Sequence, residues 1–155
     1  MYEEQFMPLT VYLSGEIHTN WREVIIGMAD EMGLDINFQF PVLDHGLSDD
    51  CGVKLLGLEE KKFWHDHKGA KLNALRNYNA IKKSDIVVVR FGEKYKQWNA
   101  AFDAGFAVAS DIPLIVLHDD DNQHALKEVD ASALVVLDDP AKVASALNYV
   151  ITGKL

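Results

Sequence analysis

Val11-Tyr12-Leu13-Ser14-Gly15-Glu16-Ile17-His18 decides the fold. A short apolar run, closed by a glycine turn that carries an acid and a histidine and followed at once by a helical pattern, reads as a strand ending at the ligand-facing edge of an open α/β sheet. The helix after it is legible from spacing. Trp21, Val24, Ile25, Met28, Ala29 and Met32 fall on one stripe, Asn20 and Glu23 are spaced as a capping box, and Gly33 supplies the stop.

Outward from there, Ile86-Val87-Val88-Val89 is the unbroken β-branched run expected of a central parallel strand covered on both faces. Strands are also predicted over 10–13, 36–40, 114–117 and 134–137. Helices are predicted over 70–83, with Leu72, Leu75 and Asn79 on one stripe, over 97–110, and from Pro140 to about residue 150. The helix over 97–110 is rich in small residues, Ala100, Ala101, Ala104, Gly105, Ala107 and Ala109, which implies close packing. Residues 43–68 mix Gly46, Gly52 and Gly57 with charge and with Phe63-Trp64-His65-Asp66-His67, and read as a long functional loop with a short helical piece.

Five strands alternating with helices imply an α/β fold, a single doubly wound parallel sheet in flavodoxin-like order 2-1-3-4-5, forming one domain over residues 1–155. Each strand ends in polar groups: Ser14, Glu16 and His18 after the first, Asp44 and His45 after the second, then Arg90, His118 with Asp119, and Asp138. The switch point between the first and third strands sets Glu16 and His18 opposite Arg90 and Phe91.

Fifteen Lys plus Arg against twenty-four Asp plus Glu give a net charge of −9, which repels nucleic-acid polymers but not a single nucleoside. Hydrophobic residues make up 48% and charged residues 25%, a soluble globular composition, and no apolar run is long enough for a membrane span. Met1-Tyr2-Glu3-Glu4-Gln5 has acids where a secretory leader carries positive charge, so a cytoplasmic location is expected. The lone Cys51 has neither a disulfide partner nor zinc-knuckle spacing.

No GxGxxG and no GxxxxGK[ST] occurs, and the strand-end Asp and Lys of a phosphoryl-receiver domain are replaced by Arg90 and Asp138. The chain does resemble the nucleoside 2-deoxyribosyltransferase superfamily, in its YtoQ-type branch, along its whole length. Three segments carry the likeness: Val11 to Glu16 with its tyrosine turn, Asn77-Tyr78-Asn79-Ala80-Ile81-Lys82-Lys83-Ser84-Asp85, and Gln97-Trp98-Asn99-Ala100-Ala101-Phe102-Asp103-Ala104-Gly105-Phe106-Ala107. The third resembles the family's nucleophile helix. There the catalytic glutamate falls on Asp103, which keeps the carboxylate on an arm one methylene shorter, and two supporting aspartates fall on the amides Asn77 and Gln97.

What the resemblance implies is cleavage of an N-glycosidic bond in a small nucleoside or nucleotide, without a cofactor or metal, in a homo-oligomer, dimer or higher, whose neighbouring subunits complete each site. A carboxylate suits that chemistry because positive charge builds at the anomeric carbon. Asp103 is the expected nucleophile or cation stabiliser. Asn77, Asn79 and Gln97 hold the sugar, Tyr12, Phe91 and Trp98 shape the base pocket beside Gly15, and Glu16, His18, His118 or the Asp66 neighbourhood supply the proton.

Each assignment has a plainer counterpart. Asp103 without the resemblance reads as a solvated helix residue, Asn77 and Asn79 are helix-face amides bonded to backbone, and Tyr12 is a core aromatic. His65 and His67 share a metal only on an extended segment, and His118 heads an acidic loop that holds magnesium or is simply solvated. Phe63 and Trp64 either cover a base or anchor the long loop, and Arg22 meets a phosphate or forms a surface ion pair. At the level of function, the rival to the enzyme is a non-catalytic nucleotide or nucleoside-derivative sensor, which the two amides favour.

Overall fold

The computed structural model describes residues 7–155, so the acidic opening, residues 1–5, lies outside the described residues. The strands are β1 (Leu9–Gly15), β2 (Ile36–Gln39), β3 (Ile86–Arg90), β4 (Leu114–Leu117) and β5 (Val135–Leu137). The helices are α1 (Trp21–Glu31), α2 (His45–Leu56), α3 (Lys62–Lys82), α4 (Trp98–Ala109), α5 (Lys127–Ser132) and α6 (Pro140–Thr152). All strand pairs are parallel and the order is β2-β1-β3-β4-β5, as the alternation of elements predicts.

Two apolar layers sandwich the sheet because its strands alternate their side chains. Val11, Leu13, Val88, Ile115 and Leu117 pack under α1 and α6, against Trp21, Ile25, Val143 and Leu147. Tyr12, Val87, Val89, Leu114 and Val116 face the other way, onto Ala100, Ala104 and Ala107 of α4. Val87, Val88 and Val89 have no exposed surface, and each such side chain contributes about 1.5–3 kcal/mol by leaving water. The alanines let α4 lie close to the sheet, which brings one carboxylate of that helix to strand level.

The long loop expected over 43–68 is instead a helical hairpin. α2 and the 21-residue α3 pack along each other, and α3 begins at Lys62 rather than near Ala70. The glycines that read as loop punctuation are the crossing point of the two helices: a β-carbon on Gly52 would lie 2.3 Å from the Gly69 backbone nitrogen. Asp44 caps α2 by accepting from the Leu47 amide at 2.7 Å.

The expected stripe of Leu72, Leu75 and Asn79 is also corrected, since Leu75 and Asn79 are exposed. α3 turns inward the ladder Gly69, Asn73, Asn77 and Ile81, which contains too few apolar residues to show as a hydrophobic stripe. The capping box at Asn20 does not form either. Asn20 has ψ 23°, outside the extended range a capping side chain needs, and makes no cap bond. The buried stripe of α1 does form around Trp21, Ile25 and Ala29, with Met32 left exposed.

Candidate active site

Tyr12 and Ser14 sit two residues apart on β1 and therefore project from the same face, toward α4. There the Ser14 hydroxyl donates to Oδ2 of Asp103 at 2.6 Å. Asp103 is only 8% exposed, and burial raises its pKa while the Ser14 bond partly lowers it again. The Tyr12 hydroxyl is the one buried side-chain polar atom among the described residues without a hydrogen-bond partner. Burial raises its pKa, and the nearby Asp103 charge raises it further, so the phenol stays protonated.

A second phenol flanks the carboxylate. Tyr78 projects from α3, its ring 5.4 Å from Phe102 and 4.9 Å from Phe106, and its pKa is raised by burial and then by the Asp103 charge. Asn77, one residue earlier, is half-buried on the inward ladder of α3, whereas Asn79 points to solvent. Tyr78 and Ser14 were legible as partners only through periodicity: Ser14 shares the face of Tyr12, and Tyr78 lies within the Asn77-Tyr78-Asn79 segment.

The turn after β1 forms the rim and is heavily cross-linked. Gly15 has φ +121°, and a β-carbon there would meet the Arg90 carbonyl oxygen at 2.1 Å, so only glycine fits. The Glu16 carboxylate, 3% exposed, accepts from the His18 amide at 2.6 Å, the Thr19 amide at 3.1 Å, the Thr19 hydroxyl and Arg90 Nε at 3.0 Å. Burial alone would raise its pKa, but bonds from Thr19, His18 and Arg90 outweigh it and hold the group ionised. Arg22 forms neither a surface ion pair nor an open phosphate site. Its buried guanidinium donates to the carbonyls of Leu13, Gly15 and Glu16 at 3.1, 3.2 and 2.7 Å, and burial pushes its pKa down to about 10.

His18 is exposed, with its ring 5.1 Å from Tyr95 of the loop after β3. Gln97 holds that loop together: its side-chain oxygen accepts from the Gly92 amide at 3.1 Å and its nitrogen donates to the Lys94 carbonyl. Phe91 is buried in the α4 layer, while Trp98 is 73% exposed with Lys96 over its ring. Asp66 pairs with Lys62 in the first turns of α3, and Phe63 and Trp64 remain exposed there. Since residues 65–67 are helical, successive side chains turn by about 100° and the two imidazoles diverge. His65 bonds Asp50 at 3.0 Å and His67 stacks on Phe63. Among the described residues no cluster of three or more metal-ligating side chains occurs.

His118 uses both ring nitrogens. Nδ1 faces the Asp119 carbonyl at 2.7 Å and Nε2 faces Asp130 of α5 at 2.8 Å. Burial lowers its pKa, but those two acceptors reverse the effect and raise it. Two open cavities lie at this end of the sheet, about 380 Å³ beside Arg90, Asn20 and Lys142 and about 620 Å³ beside His118, Lys127 and Asp130. Neither includes Asp103. Asp103 is the candidate for chemistry because a buried carboxylate near an unpartnered phenol is the kind of perturbed pair that clusters at functional sites.

A family profile described as nucleoside 2-deoxyribosyltransferase YtoQ matches residues 12–151. A Bacillus subtilis (strain 168) protein described as "Uncharacterized protein YtoQ" is 38% identical over 144 residues, covering 93% of this chain and 97% of that one. Among solved structures, a conserved protein from Enterococcus faecalis V583 is similar with a TM-score of 0.63 at 13% identity, over 93% of this chain and 99% of the other. A 2-deoxyribosyltransferase from Bacillus psychrosaccharolyticus gives 0.52 at 14% identity, covering 87% and 90%. A CMP N-glycosidase from Clostridium botulinum gives 0.51 at 16%, covering 91% and 98%. At such identities these structures establish a shared fold.

Proposed function

Because the chain belongs to the nucleoside 2-deoxyribosyltransferase YtoQ family, we propose that it is an enzyme that breaks the N-glycosidic bond of a small nucleoside or nucleotide, with Asp103 as the nucleophile. One observation carries the reading: Asp103 is a buried carboxylate, bonded through one oxygen, beside the free Tyr12 hydroxyl.

In the first step an Asp103 oxygen lone pair forms a bond to the anomeric carbon while the carbon–nitrogen bond breaks. Its electron pair leaves on the base, which takes up a proton. In the second step water, or a ring nitrogen of another base, bonds to the same carbon; the ester bond breaks and the carboxylate returns. The incoming nucleophile gives up its proton.

Tyr12 offers its hydroxyl to the sugar, and Asn77 supplies an amide on the same side. Of the candidate proton donors, Glu16 is engaged by four hydrogen bonds and His118 by two. His18, exposed at the rim, is the donor we assign. Glu16 then serves to shape the turn, and Gln97 to hold the adjoining loop. The protein acts as one domain in the cytoplasm and as a homo-oligomer.

Purified protein incubated with deoxynucleosides, ribonucleosides and their monophosphates, with base release or exchange followed by chromatography, tests the proposal. Turnover that disappears in Asp103→Asn supports it. Binding without turnover across the panel supports the sensor instead, and activity retained in Asp103→Asn moves the nucleophile elsewhere.

A further inference from the structure

The Asp103 carboxylate has two oxygens, and the fold treats them differently. Oδ2 accepts from Ser14 at 2.6 Å, and among the described residues the Asp103 side chain has no second hydrogen-bond partner. Ser14 is itself 1% exposed and lies in register with Val89 of the neighbouring β3, so its hydroxyl has a rigid base. An aspartate fastened through one oxygen has lost rotation about its last side-chain bond. The other oxygen then keeps a fixed direction, close enough to Tyr12 for the Asp103 charge to raise the phenol's pKa.

We infer that Ser14 is a positioning residue for the reaction: by holding Oδ2 of Asp103 it presents Oδ1 to the anomeric carbon. The inference rests on the reading of Asp103 as the nucleophile. Positioning of this kind counts for rate because a reacting atom held in line avoids the entropy of searching for its target. The hydroxyl also favours the ionised form of the carboxylate, the form that attacks, against a burial that disfavours it.

The test compares wild type with Ser14→Ala and Ser14→Thr in kcat, KM and the pH profile of kcat/KM. In parallel, Asp103 is titrated by carboxyl carbon NMR in the absence of substrate. For Ser14→Ala the expected result is a kcat lower by about 10- to 100-fold, the range set by one hydrogen bond to a charged group, with KM changed less than about threefold. The acid limb of the profile moves to higher pH, because without the donor the carboxylate ionises later. Ser14→Thr, which keeps the hydroxyl, restores both.

A Ser14→Ala variant with unchanged kcat and an unmoved acid limb overturns the inference. So does a loss of rate in Ser14→Ala without movement of the Asp103 titration, which marks a merely structural defect. If the alanine variant does not fold, Ser14→Cys, similar in volume and a poor donor, carries the same comparison. Should wild type turn over nothing in the substrate panel, the functional reading fails by itself; the NMR titration still decides whether Ser14 governs the charge state of Asp103, and an unmoved midpoint overturns that coupling.

Discussion

Asp103 carries its charge where burial disfavours one, so the proposed nucleophile role and stability pull in opposite directions at this residue. Its folded pKa lies above the unfolded value. Below about pH 4 both states are protonated and the site costs nothing; as pH rises through the interval between the two values, the unfolded chain ionises first and the fold loses stability. Asp103→Asn is therefore expected to abolish turnover yet melt at a higher temperature at neutral pH, a gain that calorimetry should see vanish as the buffer is taken toward pH 3. Arg22 behaves in the opposite sense. Arg22→Lys gives up the fork that holds three carbonyls and should cost about 1–3 kcal/mol in urea unfolding, with little help from the conserved charge. Asp103 and Tyr12 became candidates through the segments that resemble the family, since an acid on a helix and an aromatic in a strand carry no mark of their own; that Asp103 is buried and bonded to Ser14 is legible only in the structure. The role of Arg22 was not legible in the sequence either, because nothing local shows that a residue in a first helical turn folds back onto carbonyls of the preceding strand.

At the scale of elements, the β-branched run 86–89 and the stripe of α1 announced themselves because each is set by its own periodicity. The hairpin of α2 and α3 was hidden because Gly52 and Gly69 are there for a neighbour seventeen residues away, and a glycine chosen for contact looks the same in sequence as one chosen for a turn. Gly52→Ala should separate the two helices at a cost of about 1–3 kcal/mol, with faster amide exchange in α2 and α3 and unchanged protection in β3. α5 depends on a different tie. The His118 to Asp130 pair holds it to β4, and because the folded histidine pKa is raised, that stabilisation is complete below about pH 6.5 and is lost as pH rises through the folded value. Exchange of α5 amides should accelerate above neutrality in wild type beyond the ordinary base catalysis, and Asp130→Asn should remove the excess.

For the molecule as a whole, the outer helical layer exposes Leu75, Trp98 and Phe102, which the proposed homo-oligomer is expected to cover. Sedimentation at micromolar concentration should give a dimer or larger species, and Phe102→Asp should shift it toward monomer. Subunit number lay beyond the sequence, since surface side chains carry no periodic signal of what will meet them. The turn after β1 behaves differently from that accommodating surface. With Arg22 bound to three main-chain oxygens and Glu16 to four donors, the rim beside the carboxylate is cross-linked before anything arrives. A ligand of the proposed site is expected to surrender little affinity to ordering that flank and to gain little adaptability from it, so selectivity there should follow the shape that one guanidinium holds.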